Sequence, residues 1–392
     1  MKVLIIHNHY KNRGGEDAVV EAEVALLKKY GHEVIYYTQS NAEIDKYSFL
    51  KKIHTFFNSH WSKYNYLKIK ELIAATSPDI MHVHNTLLLI TPAVYYAAKE
   101  LGIPVVQTLH NYRFICPNGE FYFKGRICEY CLKNKDLQRS LFYGCWRRSR
   151  FLTAIVVKML RFHESKNTFK DLIDCHIALS EFSRDKFIAA GYAPDKITVK
   201  PNFVSSVPEE TQGPKMDKYA LFVGRLSEEK GVRFLVKCWE AISHIPLKIM
   251  GTGELLQELK ISARRKRLNI EFLGEKENEE VAKYIKNSSF TIFPSQWYEP
   301  FGRVIIESFA CGIPVIASSI GAAQELVSDH KTGLLFMPAD RDDLIKKVNY
   351  LWGNAALLKR MGENARAEYL LKYTEEINYE KLMRIYARAR GG

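Results

Sequence analysis

Along this chain two hydrophobic rhythms alternate. Short apolar runs at Lys2–His7, Glu33–Thr38, Asp79–His84, Val105–Leu109 and Asp174–Leu179 are what strands buried on both faces of a parallel sheet look like. Stretches with helical spacing lie between them; Glu16–Tyr30 is the first, and Gly31 ends it. Residues 205–218 are polar, hold two prolines and read as a linker. The alternation then resumes, with strands expected at Tyr219–Val223, Leu247–Met250, Ile270–Leu273, Phe290–Phe293, Val315–Ala317 and Gly333–Phe336. This pattern predicts two doubly wound α/β domains, residues 1–204 and 219–373, followed by a charged helix at Thr374–Arg390. A chain of 392 residues is long enough for two such cores.

In open parallel sheets, ligands bind beyond the carboxyl ends of the strands. The polar residues there are His7-Asn8-His9, His84-Asn85, His110-Asn111, Ser180, Asn202, Arg225, Gly251-Thr252-Gly253, Ser295 and Glu299. The strongest local signal is the segment from Ser295 to Glu307, in which Glu299 and Glu307 stand eight positions apart around Pro300-Phe301-Gly302. A turn opening into a helix exposes backbone N–H groups, a seat for anionic oxygens. Glu307 then lies about 7 Å further along the helix, so the two carboxylates can hold hydroxyl groups on either side of a pyrophosphate. A glutamate favoured by the helix macrodipole is the rival reading. The second signal, Gly224-Arg225 with Lys230-Gly231, directly follows a strand. A guanidinium fork and a mobile ammonium suit a diphosphate. Gly14-Gly15, between the first strand and first helix, is a weaker phosphate or acceptor cradle.

These motifs, in this order and over nearly the whole chain, resemble glycosyltransferase family 4, the retaining enzymes of the GT-B fold. The resemblance implies two Rossmann-like domains facing across a cleft, with the C-terminal helix, residues 374–392, returning to the first domain. It implies that Glu299 contacts hydroxyls of the transferred sugar and that Glu307 holds the nucleotide ribose. Arg225 and Lys230 would bind the pyrophosphate and offset leaving-group charge. Phe301 and Gly302 would reach the donor sugar through their backbone, and His110 would stand near the reacting sugar. Gly14, Gly15, Gly251, Gly253 and Leu273 complete the expected donor and nucleotide contacts. The implied reaction moves a hexose from a UDP- or GDP-sugar to a saccharide or lipid-linked saccharide, in polysaccharide biosynthesis. No cofactor is expected for catalysis.

Composition adds partners. A net charge of +13 points to acidic partners such as phosphorylated substrates or an anionic membrane surface, or to a solvated basic face. No run of 18 apolar residues predicts a spanning helix, and the quickly polar N-terminus does not read as a signal peptide. The expected location is therefore cytoplasmic, at the inner face of the membrane if that is contacted. Residues 141–163 mix basic and apolar positions, with Trp146 and Phe151 available for an interface. They suit a helix on an anionic surface, or equally a buried helix with one basic face.

Cys116, Cys128, Cys131 and Cys145 have the content of a four-thiolate structural zinc site; buried thiols and disulfides are the other readings. Asp340-Arg341-Asp342 reads as a helix cap rather than a metal motif. Two rivals to the transferase remain. A nucleotide-sugar epimerase of the same architecture need not keep the Glu299/Glu307 spacing. A nucleic-acid-binding protein is not expected, because no recognisable module is present.

Overall fold

The computed structural model describes residues 1–11, 14–205 and 218–391, so of the expected linker only Ser205 and Lys218 are described. The chain divides into two compact units. The first comprises Met1–Phe121, Glu129–Pro201 and the residues from Tyr379 onward; the second comprises Tyr122–Cys128 and Asn202–Asn378.

The first unit holds a six-stranded sheet of β1 (Lys2–His9), β2 (Glu33–Ser40), β3 (Ile80–Asn85), β4 (Val105–Leu109), β7 (Cys175–Ala178) and β8 (Ile197–Val199). Their order is β2-β1-β3-β4-β7-β8, with every neighbouring pair parallel. A separate antiparallel hairpin pairs β5 (Tyr122–Phe123) with β6 (Arg126–Ile127). The second unit's sheet holds β9 (Ala220–Val223), β10 (Leu247–Met250), β11 (Ile270–Gly274), β12 (Phe290–Phe293), β13 (Val315–Ser318) and β14 (Gly333–Phe336). Its order, β11-β10-β9-β12-β13-β14, is also all parallel. Strand order reverses between β1 and β3 in one sheet and between β9 and β12 in the other, and these are the switch points where ligands are expected.

The central apolar runs form strands because both faces are covered; β2 and β11, at the sheet edges, have no fully buried residue, contrary to the expectation for Glu33–Thr38. In the first unit Val3, Ile5, Ile80, Val106 and Ile177 pack against Val20, Val24 and Leu27 of the helix Gly15–Lys29 and against Leu382, Ile385 and Tyr386 of the last helix. That last helix, Glu375–Ala389, passes into the first unit at Tyr379. There the Tyr379 ring stacks on Tyr30 with centroids 3.7 Å apart, and its hydroxyl bonds His32 Nε2 at 2.9 Å. In the second unit Phe222, Ile249, Ile292 and Leu334 meet Val232, Leu235, Val348 and Met361. Each fully buried Leu, Ile or Phe contributes ~1.5–3 kcal/mol relative to exposure.

Several expectations need correction. The divide falls at Pro201/Asn202, and Tyr122–Cys128 groups with the second unit. β8 and the hairpin were not expected; two- and three-residue strands carry too little periodicity to register. Residues 141–163 are not one helix. Gly144, at φ +62°, ends the helix Gln138–Tyr143, and a second helix runs Arg150–Glu164. Trp146, in the turn between them, is buried, with the guanidinium carbons of Arg113 and Arg147 each 5.4 Å from its ring, so it is not available for an interface.

Leu382 is fully buried between the sheet and the first helix. Leu382→Ala is expected to cost ~2–5 kcal/mol, read as a lower urea midpoint; a loss below ~1 kcal/mol would contradict the docking of the last helix.

Candidate functional site

In the second unit the strand-end loops are laced together by backbone bonds. Gly224 N donates to Met250 O at 3.0 Å, Gly251 N to Gly274 O at 2.7 Å, and Leu226 N to Thr252 O at 2.8 Å. Gly251 cannot be replaced without moving this lacing, since a Cβ there would lie 2.0 Å from Gly224 O. Gly253 and Leu273 sit in the same set of loops, Leu273 within β11 next to Gly274.

After β9 the chain passes Arg225, whose side chain is 65% exposed, then makes one 3-10 turn, Glu228–Lys230. Gly231 turns it into the helix Val232–Cys238 at φ +71°, and a Cβ there would stand 1.8 Å from Pro294 O. Only glycine combines that dihedral with that contact. The loop after β12 is thereby pressed against the loop after β9, and Gln296 N donates to Glu229 O at 2.8 Å.

This close approach brings Lys230 and Glu299 together. The Lys230 ammonium pairs with Glu299 Oε1, and Glu299 Oε2 accepts from Ser295 Oγ at 2.8 Å. The Glu299 carboxylate is 9% exposed. Lys230 Nζ also lies 5.7 Å from the centroid of the buried Trp297 ring, whose Nε1 has no hydrogen-bond partner. Gly302 stands at the N-cap of the helix Arg303–Ala310 with no side chain capping it, leaving the first-turn N–H groups for an anion. Phe301 is buried, and Glu307 pairs with Arg303 at 2.8 Å. Of the residues expected from sequence in the second unit, Lys230 and Glu299 are brought into direct contact, while Arg225 faces Glu229 at 3.8 Å and Glu307 faces Arg303. The direct pairing of Lys230 with Glu299, and the Ser295 bond that orients the carboxylate, were not anticipated.

In the first unit, Gly14 is the N-cap of the helix Gly15–Lys29, and its N–H donates to Asp17 Oδ2 at 2.8 Å. Arg13 lies outside the described residues. Asp17 Oδ1 meets His7 Nε2 at 2.9 Å and His9 Nδ1 at 3.0 Å. The His110 ring, half-buried at the end of β4, has its Nε2 2.9 Å from His84 Nδ1. Behind it Glu23, fully buried, faces His82 Nδ1 at 3.0 Å, His84 Nε2 at 3.4 Å and Lys200 Nζ at 2.9 Å. Burial holds the His110 imidazole well below its ordinary value, with His84 and His7 adding to the effect. Burial likewise holds His84 down, to about 3. Burial acts to raise the Glu23 carboxyl, but Lys200 and His82 outweigh it, and the group sits well below the usual carboxylate range. Sequence reasoning missed Glu23 and Lys200. A signal existed: Glu23 falls on the apolar stripe Val20, Val24, Leu27, where a charge needs a buried partner.

Two groups of three metal-capable side chains occur among the described residues: His7, His9 and Asp17, and Glu23, His82 and His84. No cysteine belongs to either. Cys116, Cys131 and Cys145 lie in the first unit and Cys128 in the second, and no disulfide joins any of the seven. Asp340 caps the helix Arg341–Trp352, its Oδ1 accepting from Asp343 N at 3.0 Å.

The comparisons agree with this geometry. The family described as Glycosyltransferase Family 4 matches residues 13–206, and Glycosyl transferases group 1 matches residues 206–368. The chain belongs to this glycosyltransferase family. It is 35% identical over 166 residues to MJ1178 of Methanocaldococcus jannaschii, described as an uncharacterised glycosyltransferase, covering 42% of this chain and 45% of that one. It is 30% identical over 272 residues to a 42.6 kDa protein in the cps region of Klebsiella pneumoniae, covering 67% and 64%. The chain thus spans between about half and two thirds of these curated relatives. Among solved structures, Alr3699/HepE of Anabaena, in complex with UDP, superposes with a TM-score of 0.69 at 18% identity, covering 99% of this chain and 100% of that one. The fold is GT-B.

The titrations have a consequence for stability. In the folded first unit His84 is held near 3, and His163 and His176 near 4, all by burial. Unfolded, each takes up a proton below pH ~6.5, so the unfolded state binds more protons in that range and stability falls as pH falls. Glu16, pushed up to about 8 by burial, acts in the opposite sense. Three histidines outweigh it, each worth at most ~1.4 kcal/mol per pH unit. The thermal midpoint is expected to drop between pH ~7 and ~5; a midpoint that holds or rises in circular-dichroism melts contradicts the buried neutral histidines.

Proposed function

We propose that this protein transfers a hexose from a UDP- or GDP-sugar to a saccharide or lipid-linked saccharide acceptor, with retention of anomeric configuration and without a metal. The observation that carries this reading is the Lys230–Glu299–Ser295 cluster beside Arg225 and the uncapped helix at Gly302. Breaking a glycosyl–phosphate C–O bond leaves positive charge on the sugar and negative charge on the departing nucleoside diphosphate. Arg225, Lys230 and the N–H groups at Gly302 are suited to the leaving charge. Glu299, buried and held by Ser295, is suited to sugar hydroxyls, and Glu307 to the ribose. The acceptor oxygen bonds the anomeric carbon on the face the phosphate leaves, and its proton passes to that phosphate. The UDP-bound neighbour favours a uridine donor. The family and the basic surface support a role in cell-surface polysaccharide synthesis.

The acceptor side is assigned to the first unit. Its depressions include one of about 450 Å³ lined by His84, His110 and Arg113, and one of about 720 Å³ lined by Lys11, Phe56, Arg113, Trp146 and Arg147. Beside the latter, the helix Phe49–Phe57 buries none of its residues; Phe49 and Leu50 are 76% and 77% exposed, next to Lys51 and Lys52. Phe151, 52% exposed, lies with its centroid 6.3 Å from that of Phe57. Apolar tips among lysines suit the surface of an anionic bilayer, and this is the proposed site of contact with the inner face of the membrane.

A thermal-shift screen of nucleotide sugars identifies the donor, since a ligand bound only to the folded state raises its stability. With that donor and a matching acceptor, Glu299→Ala is expected to abolish transfer while nucleoside diphosphate still binds, and Glu307→Ala to weaken nucleotide binding. Arg225→Ala and Lys230→Ala should each lower kcat ~10²-fold or more, and wild-type transfer should survive EDTA. Near-normal turnover by Glu299→Ala contradicts the assignment, and epimerised donor formed without acceptor identifies the isomerase instead.

Co-sedimentation with vesicles tests the membrane contact. Binding to phosphatidylglycerol vesicles should exceed binding to phosphatidylcholine, weaken with salt, and drop at least tenfold in the Phe49→Ser/Leu50→Ser double variant. Equal binding by wild type and variant refutes it.

A further inference from the structure

The first unit contains a buried polar chain that the proposed reaction does not yet use. Five elements contribute to it: Glu23 from the helix Gly15–Lys29, His82 and His84 from β3, Thr108 from β4 with His110 just beyond it, Lys200 after β8, and Tyr386 from the last helix. Glu23, His82, Lys200 and Tyr386 are each no more than 2% exposed. Lys200 Nζ pairs with Glu23 Oε2 at 2.9 Å, so the carboxylate already has its counter-ion. Its other oxygen, Oε1, lies 3.0 Å from His82 Nδ1 and 3.4 Å from His84 Nε2; these are close charge contacts rather than aligned hydrogen bonds, and Oε1 and His84 Nε2 are the two buried atoms here left without a hydrogen-bond partner. His82 is further fixed by Tyr386 OH at 2.8 Å from Nδ1 and by Thr108 Oγ1 at 2.8 Å from Nε2. The opposite edge of the His84 ring, Nδ1, meets His110 Nε2 at 2.9 Å.

That last contact has one proton to share. If His84 carried it on Nδ1, its Nε2 lone pair would face the Glu23 carboxylate, with negative density against a buried charge. The reverse arrangement puts N–H toward the carboxylate and leaves Nδ1 to accept from His110. His84 cannot carry both protons, because burial and His82 keep the ring neutral.

Resting on the reading of His110 as a residue beside the reacting sugar, we propose that Glu23 is a positioning residue. Acting through His84, it fixes His110 as the Nε2–H tautomer, so that His110 offers an unprotonated Nδ1 to a hydroxyl of the sugar or acceptor. His110 is then a hydrogen-bond acceptor toward ligand, neither a cation nor a donor. Lys200 allows Glu23 to remain ionised while buried, and Tyr386 and Thr108 hold the second imidazole out of the contest for the proton.

The test reads tautomers directly. The full chain labelled with nitrogen-15 histidine gives long-range proton–nitrogen correlations that separate Nε2–H from Nδ1–H rings, and signals lost in His110→Gln and in His84→Gln assign the two. Wild type is expected to hold both rings as Nε2–H. Glu23→Gln combined with Lys200→Met, which removes both buried charges together, should shift His110 toward Nδ1–H and lower kcat ~10-fold or more, with donor KM changed less than about threefold. If that variant does not fold, Glu23→Asp, which withdraws the carboxylate by one methylene, replaces it with the same expectation. A wild-type His110 in the Nδ1–H form, or a variant whose tautomers match wild type, overturns the proposal. Tautomers as expected in a protein that transfers no sugar would uphold the positioning role and sink the transferase reading alone.

Discussion

Parallel strands cannot be joined by tight turns, so every connection within the two six-stranded sheets must cross a face and return to the edge it left. Two results follow. Helices cover both faces, and the strand interiors become apolar: Val3 to Ile6 of β1 are completely buried. All carboxyl ends also collect at one edge, and the reversal of strand order opens a crevice there. Polar residues are then tolerated at the strand ends, or inside only with partners. Several interior exceptions have such partners, although His176 in β7 has none on either ring nitrogen. Gln107 accepts from Tyr95 OH at 2.6 Å, Thr291 pairs with Ser308 at 2.8 Å, and His82 has Glu23, Tyr386 and Thr108.

Glu23 and Lys200 are the costliest of these exceptions. A buried ion pair returns little net stability over apolar packing, but leaving either charge alone costs ~3–5 kcal/mol. A fold that keeps such a pair constrains everything around it. Helix Gly15–Lys29, the end of β8 and β3 must hold their relative positions for the charges to stay matched. The last helix joins this set through Tyr386, which both fills the apolar core and bonds His82. Packing and polar organisation in the first unit are therefore one constraint.

Much of the architecture was legible because a buried parallel strand writes a nearly continuous apolar run. Val105–Leu109, Leu247–Met250, Phe290–Phe293 and Gly333–Phe336 fall where the pattern puts them. What was illegible was short or was decided in three dimensions. Ile197–Val199 is three residues long and shows no period. Residues 141–163 carry helical spacing throughout, yet Gly144 takes a left-handed conformation and splits them, after which packing buries Trp146. Glycines were legible as turns, while the reason for Gly231, the Pro294 carbonyl pressed against it, lies 63 residues further on in the sequence.

The two glutamates illustrate the same limit within the site. Spacing places Glu299 and Glu307 eight residues apart and treats them alike. The structure does not. Glu299 is on a loop, nearly buried, with Lys230 of the neighbouring loop on one oxygen and Ser295 of its own loop on the other, so its orientation is set from both loops. Glu307 is on a helix, more exposed, and tied to Arg303 one turn earlier, a pair that can exchange with solvent or with a ligand at small cost. A carboxylate fixed by neighbours from two loops is fit to discriminate among hydroxyl positions, because moving it to suit a wrong sugar would break the Lys230 and Ser295 contacts together. One held by an i,i+4 pair is fit only to retain a ligand. The different settings of the two carboxylates therefore come from the close approach of the loops after β9 and β12, which the glycine at 231 permits.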